Sequence, residues 1–134
     1  MVQAGLTRDR TWRVHGACAG AAETLSAHAP MQNYPAPARV IVADLAAKAA
    51  ADPSRAVAYQ GAPGANSHLA ALGYAPDCVP LPCFAFEDAI DAVRCGQAMR
   101  AIIPIEHSRH GRVADMHFLL PESGLHIVDE YFLR

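Results

Sequence analysis

One run of the chain concentrates the residues suited to holding a small anion: Ile102-Ile103-Pro104-Ile105-Glu106-His107-Ser108-Arg109-His110-Gly111-Arg112-Val113. An apolar segment gives way to a carboxylic acid, two imidazoles, a hydroxyl and two guanidinium groups. The pattern predicts a buried strand ending at Pro104 or Glu106, a short polar loop, and a helix opening near Gly111. In open α/β sheets, ligands collect beyond the carboxyl ends of parallel strands, where loop amides and helix N-termini favour negative charge. Glu106, His107, Ser108 and Gly111 are therefore candidate substrate-binding residues.

Gly61-Ala62-Pro63-Gly64-Ala65-Asn66-Ser67 is the second candidate. Two glycines around a proline permit positive φ and close backbone approach, and a following helix offers unpaired N–H groups. Gly64, Ala65 and Ser67 are the donors singled out. Most such clusters only reverse the chain. Duller readings stand beside the others too. Glu106 is a turn-organising carboxyl before it is a general acid, so no catalytic residue is assigned. His107 and His110 beside Glu106 have a spacing compatible with a metal, but loop histidines are commoner and no further ligand set accompanies them, so no metal is expected. His68 and His117 read as helix-surface or partly buried residues. Arg109 and Arg112 either attract substrate or are simply solvated.

These loops need elements to hold them. Residues 1–38 show no apolar period, and Pro30, Pro35 and Pro37 break up the segment's end; they predict an irregular extension, with Trp12 its one large aromatic. Val42, Leu45, Ala46 and Ala49 at i, i+3, i+4 and i+7 predict a helix over about 39–51, with Asp44 and Lys48 as an i,i+4 pair. Its alanine-rich face implies either loose packing or separation from the main domain. Strands are predicted at 55–60, at 78–81 (placed at a sheet edge by Pro80 and Pro82), at 101–105 and at 125–133. Helices fall between them: from the Gly-rich turn to about Leu72, along the Phe86, Ala89, Ile90, Val93 stripe to a Gly96 cap, and over 112–120 on Val113, Met116 and Leu120, ended by Pro121 and Gly124. This β-α-β-α-β-α-β order predicts an α/β lobe with a mostly parallel four-stranded sheet and right-handed crossovers. The division is an N-terminal extension over 1–54 and a folded lobe over 55–134.

With 134 residues, 52% apolar and 18% charged, the chain reads as one globular domain or part of one. A formal charge of −2 gives no electrostatic reason to expect nucleic acid or an anionic membrane as partner. Cys18, Cys78, Cys83 and Cys95 lack a paired C-x-x-C spacing and read as free thiols. No run reaches membrane-span length and no signal-peptide pattern opens the chain, so a cytoplasmic location is expected.

Ala58-Tyr59-Gln60-Gly61-Ala62-Pro63-Gly64-Ala65-Asn66-Ser67, Leu81-Pro82-Cys83 with Phe86-Glu87-Asp88-Ala89, Pro104-Ile105-Glu106, Gly111-Arg112-Val113-Ala114-Asp115 and Leu119-Leu120-Pro121-Glu122-Ser123-Gly124-Leu125 occur in this order. Together they resemble prephenate dehydratase over about 55–134. The resemblance implies conversion of prephenate to phenylpyruvate with loss of carbon dioxide and water, on the way to phenylalanine, with no cofactor. It implies one half of a periplasmic-binding-protein-like two-lobed catalytic domain, with homodimerisation compatible with the family. Only the first lobe is matched: the Thr-Arg-Phe motif carrying the family's principal catalytic threonine has no counterpart, so the isolated chain is expected to be inactive. Ala62 replaces Glu in the family's Gly-Glu-Pro-Gly, His107 replaces Asn in Pro-Ile-Glu-Asn-Ser, and Phe84-Ala85 replaces a frequent Pro-Thr that would supply a helix cap. The alternative is a non-catalytic or vestigial lobe that keeps a small-anion pocket.

Overall fold

The computed structural model describes residues 2–7, 34–107, 111–112 and 114–133. In chain order the elements are β1 (Val2–Thr7), α1 (Ala36–Ala51), a 3₁₀ turn (Pro53–Arg55), β2 (Ala56–Gln60), α2 (Asn66–Tyr74), β3 (Val79–Cys83), α3 (Phe86–Arg94), β4 (Arg100–His107), β5 (Gly111–Arg112), α4 (Ala114–Ser123) and β6 (His126–Phe132). No helix among the described residues is long and apolar enough to cross a membrane.

The sheet is mixed, where a four-stranded, mostly parallel one was expected. Its order is β3-β2-β4-β1-β6, with the short β5 pairing with β4 off this path. β2 runs parallel to β3 and to β4, but β1 lies antiparallel to both β4 and β6. The reading of residues 1–38 as irregular is thus wrong for 2–7. Ala4 and Leu6 enter the core at 2% and 0% exposure. Gln3 and Gly5 between them hide the alternation, because neither scores as an apolar strand residue although Gln3 is itself fully buried. Trp12, Cys18 and Pro30 lie outside the described residues.

Two apolar layers cover the sheet. Val57, Tyr59 and Ile102 face α2 through Ala70 and Ala71. Ala56, Ala58, Ala101 and Ile103 face the other way, onto Ala89, Ile90, Ala92 and Val93 of α3, with Ala49 of α1 and Leu119 and Leu120 of α4 packed in the same cluster. Successive residues of β4 therefore go to opposite cores, which explains its uninterrupted apolar run. The predicted α3 stripe and the β4 strand are both present.

Prolines account for several boundary shifts. Helix α1 starts at Ala36 rather than Arg39: Pro35 is its N-cap and Pro37 lies in its first turn, where the missing N–H breaks no helical bond. The residues read as breakers are a start signal. The alanine face of α1 packs on β3, leaving a cavity of about 310 Å³ bounded by Val42, Ala46, Ala50, Leu81, Cys83 and Ala92. Asp44 and Lys48 pair at 2.9 Å. β3 takes the predicted edge position. The Cys83 carbonyl accepts from Gly61 N–H at 2.9 Å, so the alternate residues Pro80 and Pro82 turn their donorless nitrogens to the free edge. Pro121 does not end α4, which continues to Ser123, whose hydroxyl donates to Leu120 O at 2.6 Å and accepts from Leu125 N–H at 3.1 Å. Among the described residues Cys78, Cys83 and Cys95 form no disulfide; Cys83 is buried, and burial pushes its thiol well above the ordinary range.

Candidate functional site

Because β2, β3 and β4 are parallel, their carboxyl ends share one edge. From that edge β2 leads into α2 on one face, while the chain beyond β4 leads to α4 on the other. Connections diverging to opposite faces open a crevice between neighbouring strands, the ordinary ligand position in an open α/β sheet.

The β2–α2 turn is held from both sides. Gly61, at φ +121°, donates its N–H to Cys83 O, and its own carbonyl accepts from the Tyr34 hydroxyl at 3.2 Å. Tyr34 is 4% exposed, meets Phe84 edge to face at 5.9 Å, and accepts from Arg39 Nε at its carbonyl, 2.8 Å away. Burial raises its phenol pKa strongly, so it stays a hydrogen-bond donor. Gln60 Nε2 adds a bond to Phe84 O at 3.2 Å. A residue upstream of the predicted domain thus fixes the turn's entry.

Within the turn, the predicted donors divide. Ala65 N–H donates to Ala62 O at 3.0 Å, and Gly64, at φ +90°, donates its N–H to Nδ1 of His68 at 2.8 Å. Both amides already have acceptors within the turn and its helix. The first helical bond runs from Leu69 N–H to Ala65 O, so the N–H groups of Asn66, Ser67 and His68 have no backbone acceptor among the described residues. Ser67 is 6% exposed and sits in this first turn. These three amides, with the positive end of the helix dipole, form the anion-attracting part of the turn.

His68 lies flat on the Tyr59 ring, with centroids 5.1 Å apart and planes 8° from parallel. A backbone amide can only donate, so Nδ1 is the acceptor and the neutral ring carries its proton on Nε2. Desolvation by burial lowers the His68 pKa. Beneath it, Tyr59 is fully buried and its hydroxyl has no partner among the described residues. Burial, with smaller effects from Tyr34 and Cys83, raises its pKa strongly. An unsatisfied buried hydroxyl costs about 1–3 kcal/mol, an expense typical of binding sites.

The second half of the edge differs from expectation. β4 runs through Glu106 to His107, and Gly111–Arg112 is a strand folded back on it, with Glu106 opposite Arg112 and His107 opposite Gly111. The helix expected to open near Gly111 begins at Ala114 instead. Gly111 is thus a hairpin residue and lends no helix N-terminus to the site. A polar loop bounded by Pro and Gly suits either connection, and pairing across it is a non-local choice. Ser108, Arg109, His110 and Val113 lie outside the described residues, as do the side chains of His107, Arg112, Ala114, Asp115 and Met116. Glu106 is exposed and stands four residues past Ile102, the partner of Tyr59 on β2, or roughly 13 Å further along the strand. β1 takes one side of β4 at Glu106, so β5 pairs on the side that β2 occupies further back along the strand.

His68 is partly buried on α2, one of the two places the sequence allowed it, but sequence reasoning missed its part in the turn and those of Tyr34 and Tyr59. His68 had one usable signal, its i,i+4 spacing from a glycine at a helix start. Nothing local couples residue 34 to 61. The expected loss of a cap before the second helix of the lobe is present: Ala85 is the N-cap of α3 and lends no side-chain bond, although its N–H donates to Asp88 Oδ2 at 3.2 Å.

The turn and the hairpin both fall inside the family match. Residues 57–134 match the family model described as prephenate dehydratase. A bifunctional N-acyl-homoserine lactone acylase/prephenate dehydratase of Komagataeibacter europaeus is 49% identical over 60% of this chain and 28% of its own length. Arogenate dehydratase/prephenate dehydratase 1 of Arabidopsis thaliana is 36% identical over 83% of this chain and 28% of its own, an alignment that extends upstream of Arg55. Arogenate dehydratase 1 of Petunia hybrida is 46% identical over 55% of this chain and 18% of its own. The chain therefore spans between about a fifth and somewhat over a quarter of these relatives' lengths. With both halves of the crevice edge inside the matched region, the chain belongs to the prephenate dehydratase family.

Proposed function

We propose that this chain supplies a prephenate-binding wall of a prephenate dehydratase acting in phenylalanine biosynthesis. One observation carries the reading: the family-matched segments that begin at Gly61 and at Glu106 leave the parallel strands β2 and β4 at the same edge of the sheet, although some forty residues separate them in sequence. Relatives named for arogenate are also similar; prephenate is preferred because the family model and the relative at 49% identity are named for it.

In the reaction the ring carboxylate leaves as carbon dioxide. The electron pair of its C–C bond enters the ring as hydroxide departs from the opposite carbon, and a proton delivered to that hydroxide makes water. A site for this step must fix a dianion and help the hydroxide leave. The free amides of Asn66, Ser67 and His68 and the Ser67 hydroxyl are suited to one carboxylate. Gly64 and Ala65 shape the turn, Glu106, His107 and Gly111 belong to the hairpin at the same edge, and Ser108 is a candidate on sequence alone. In this reading the lobe is periplasmic-binding-protein-like and works in the cytoplasm without a cofactor. It has no nucleic-acid or membrane partner, and a homodimer is the assembly to look for by sedimentation.

The test is an NMR titration with prephenate alongside an assay for phenylpyruvate. Amide shifts at Asn66, Ser67 and Glu106 without turnover are expected, because the sequence has no Thr-Arg-Phe motif. Shifts confined to other faces overturn the site, and saturable turnover overturns the need for that motif. Ala62 and His107 favour the second reading, a non-catalytic small-anion pocket; malonate moving the same amides as strongly as prephenate would support it.

A further inference from the structure

Among the described residues, His68 is the side chain that occupies a backbone donor of the β2–α2 turn. Its Nδ1 holds the Gly64 N–H at 2.8 Å, and the stack on Tyr59 keeps its ring in the plane that makes this bond. A substrate carboxylate reaching for the Gly64 amide must displace the imidazole. A protonated imidazole cannot keep that bond, since Nδ1 then carries a hydrogen and faces another donor.

We propose that His68 is a positioning residue that holds the Gly64 amide in reserve, and that anion binding at the β2–α2 turn releases this amide and is coupled to uptake of one proton by His68. The inference rests on the prephenate reading and deepens it by naming what the turn exchanges on binding. Once freed, the ring gives the anion a cationic neighbour beside the amides of Asn66 and Ser67, and Gly64 adds a further donor.

The surroundings set the direction of the coupling. Among the described residues, helix α2 carries no Asp, Glu, Lys or Arg. Among the described residues, the titratable groups on the elements around α2 and its turn include the Tyr59 phenol of β2, the Tyr34 phenol on Gly61, the Cys83 thiol of β3 and the acidic side chain of Glu106 on β4. At the far end of α2, Tyr74 accepts from Arg100 of β4 and packs in one cluster with Tyr131 of β6. Burial raises the Tyr34 and Tyr59 phenols and the Cys83 thiol, so all three are neutral and none stabilises an imidazolium. Desolvation by burial therefore sets the direction and favours the neutral His68 ring. A bound carboxylate reverses that balance.

¹⁵N NMR of the histidine rings reads the coupling residue by residue, which separates His68 from His107. In the empty protein, lowering the pH should protonate His68 with a midpoint below its ordinary value, and the Gly64 amide should shift with the same midpoint. At pH 7, saturating prephenate should convert His68 from the Nε2–H tautomer to the doubly protonated ring. Prephenate affinity should rise by up to tenfold for each unit by which the pH is lowered between the bound and free pKa values. His68→Asn, which keeps a side-chain acceptor for Gly64 but cannot titrate, should lose that pH dependence while leaving the amide pattern of the empty turn near wild type. If prephenate shifts the amides of residues 64–67 while His68 stays neutral, or if His68→Asn retains the wild-type pH profile, the coupling is overturned and the binding site stands. If prephenate shifts none of these amides, the binding site falls and takes the coupling with it.

Discussion

Leu6→Ala tests the least expected feature of the fold, the strand β1 inserted between β4 and β6. Leu6 is fully buried, lies opposite Ala101 on one side and Ile127 on the other, and packs in the cluster containing Ala4, Ala56, Ala58 and Ile103. Truncation removes three carbons from that core, about 2.4 kcal/mol at ~0.8 kcal/mol per buried carbon. A cavity penalty adds to it. The neighbouring alanines have no rotamers with which to fill the space, so the site collapses poorly, and the total should be roughly 3–4 kcal/mol. That is a large part of the 5–15 kcal/mol typical of a domain. Urea unfolding followed by circular dichroism should show an unchanged slope and, for a slope of about 1–3 kcal/mol per molar, a midpoint lower by roughly 1–4 M. Val40→Ala, at a position 74% exposed on α1, is the control and should stay within about 0.5 kcal/mol of wild type. A Leu6→Ala loss no larger than the control's would show that β1 does not sit in the sheet.

Ala85→Thr should stabilise the protein by about 1 kcal/mol, since it restores a cap oxygen to a helix whose N-cap now makes no side-chain bond; an unchanged thermal midpoint would count against the assigned start of α3. Stability should also fall on acidification through His68. Its folded pKa lies below the unfolded value of about 6.5, so below that pH the unfolded chain binds more protons, and the contribution present above 6.5 is lost as pH falls through the folded pKa. Comparing unfolding free energies at several pH values should show a shallower decline for His68→Asn, and parallel curves for both proteins would refute the assignment.

Much of the lobe was legible because its signals are local. A continuous apolar run marks a strand covered on both faces, as Ile102 and Ile103 show by entering opposite cores. The stripe at Phe86, Ala89, Ile90 and Val93 needs only the 3.6-residue period, and the placement of β3 at an edge needs only prolines without donors. The Gly-rich turn was equally visible, and Gly61 and Gly64 adopt the positive φ that makes glycine useful there.

Pairings between distant residues were not legible. The apolar residues of β1 are diluted by Gln3 and Gly5, and only an empty slot between β4 and β6 makes them a strand. The hairpin at 107 and 111 depends on backbone bonds across a loop whose composition also suits a helix start. The same holds at the site. The sequence alone determined that Gly64 and Ser67 belong to a turn able to meet an anion. Only the tertiary structure decided that Gly64's amide is already held by His68, that Tyr59 supports that ring from below, and that Tyr34 reaches over to Gly61. The physical reason is that a turn's conformation follows from its own φ preferences, whereas the partner of each polar group depends on which side chains the rest of the chain brings within about 3 Å of it.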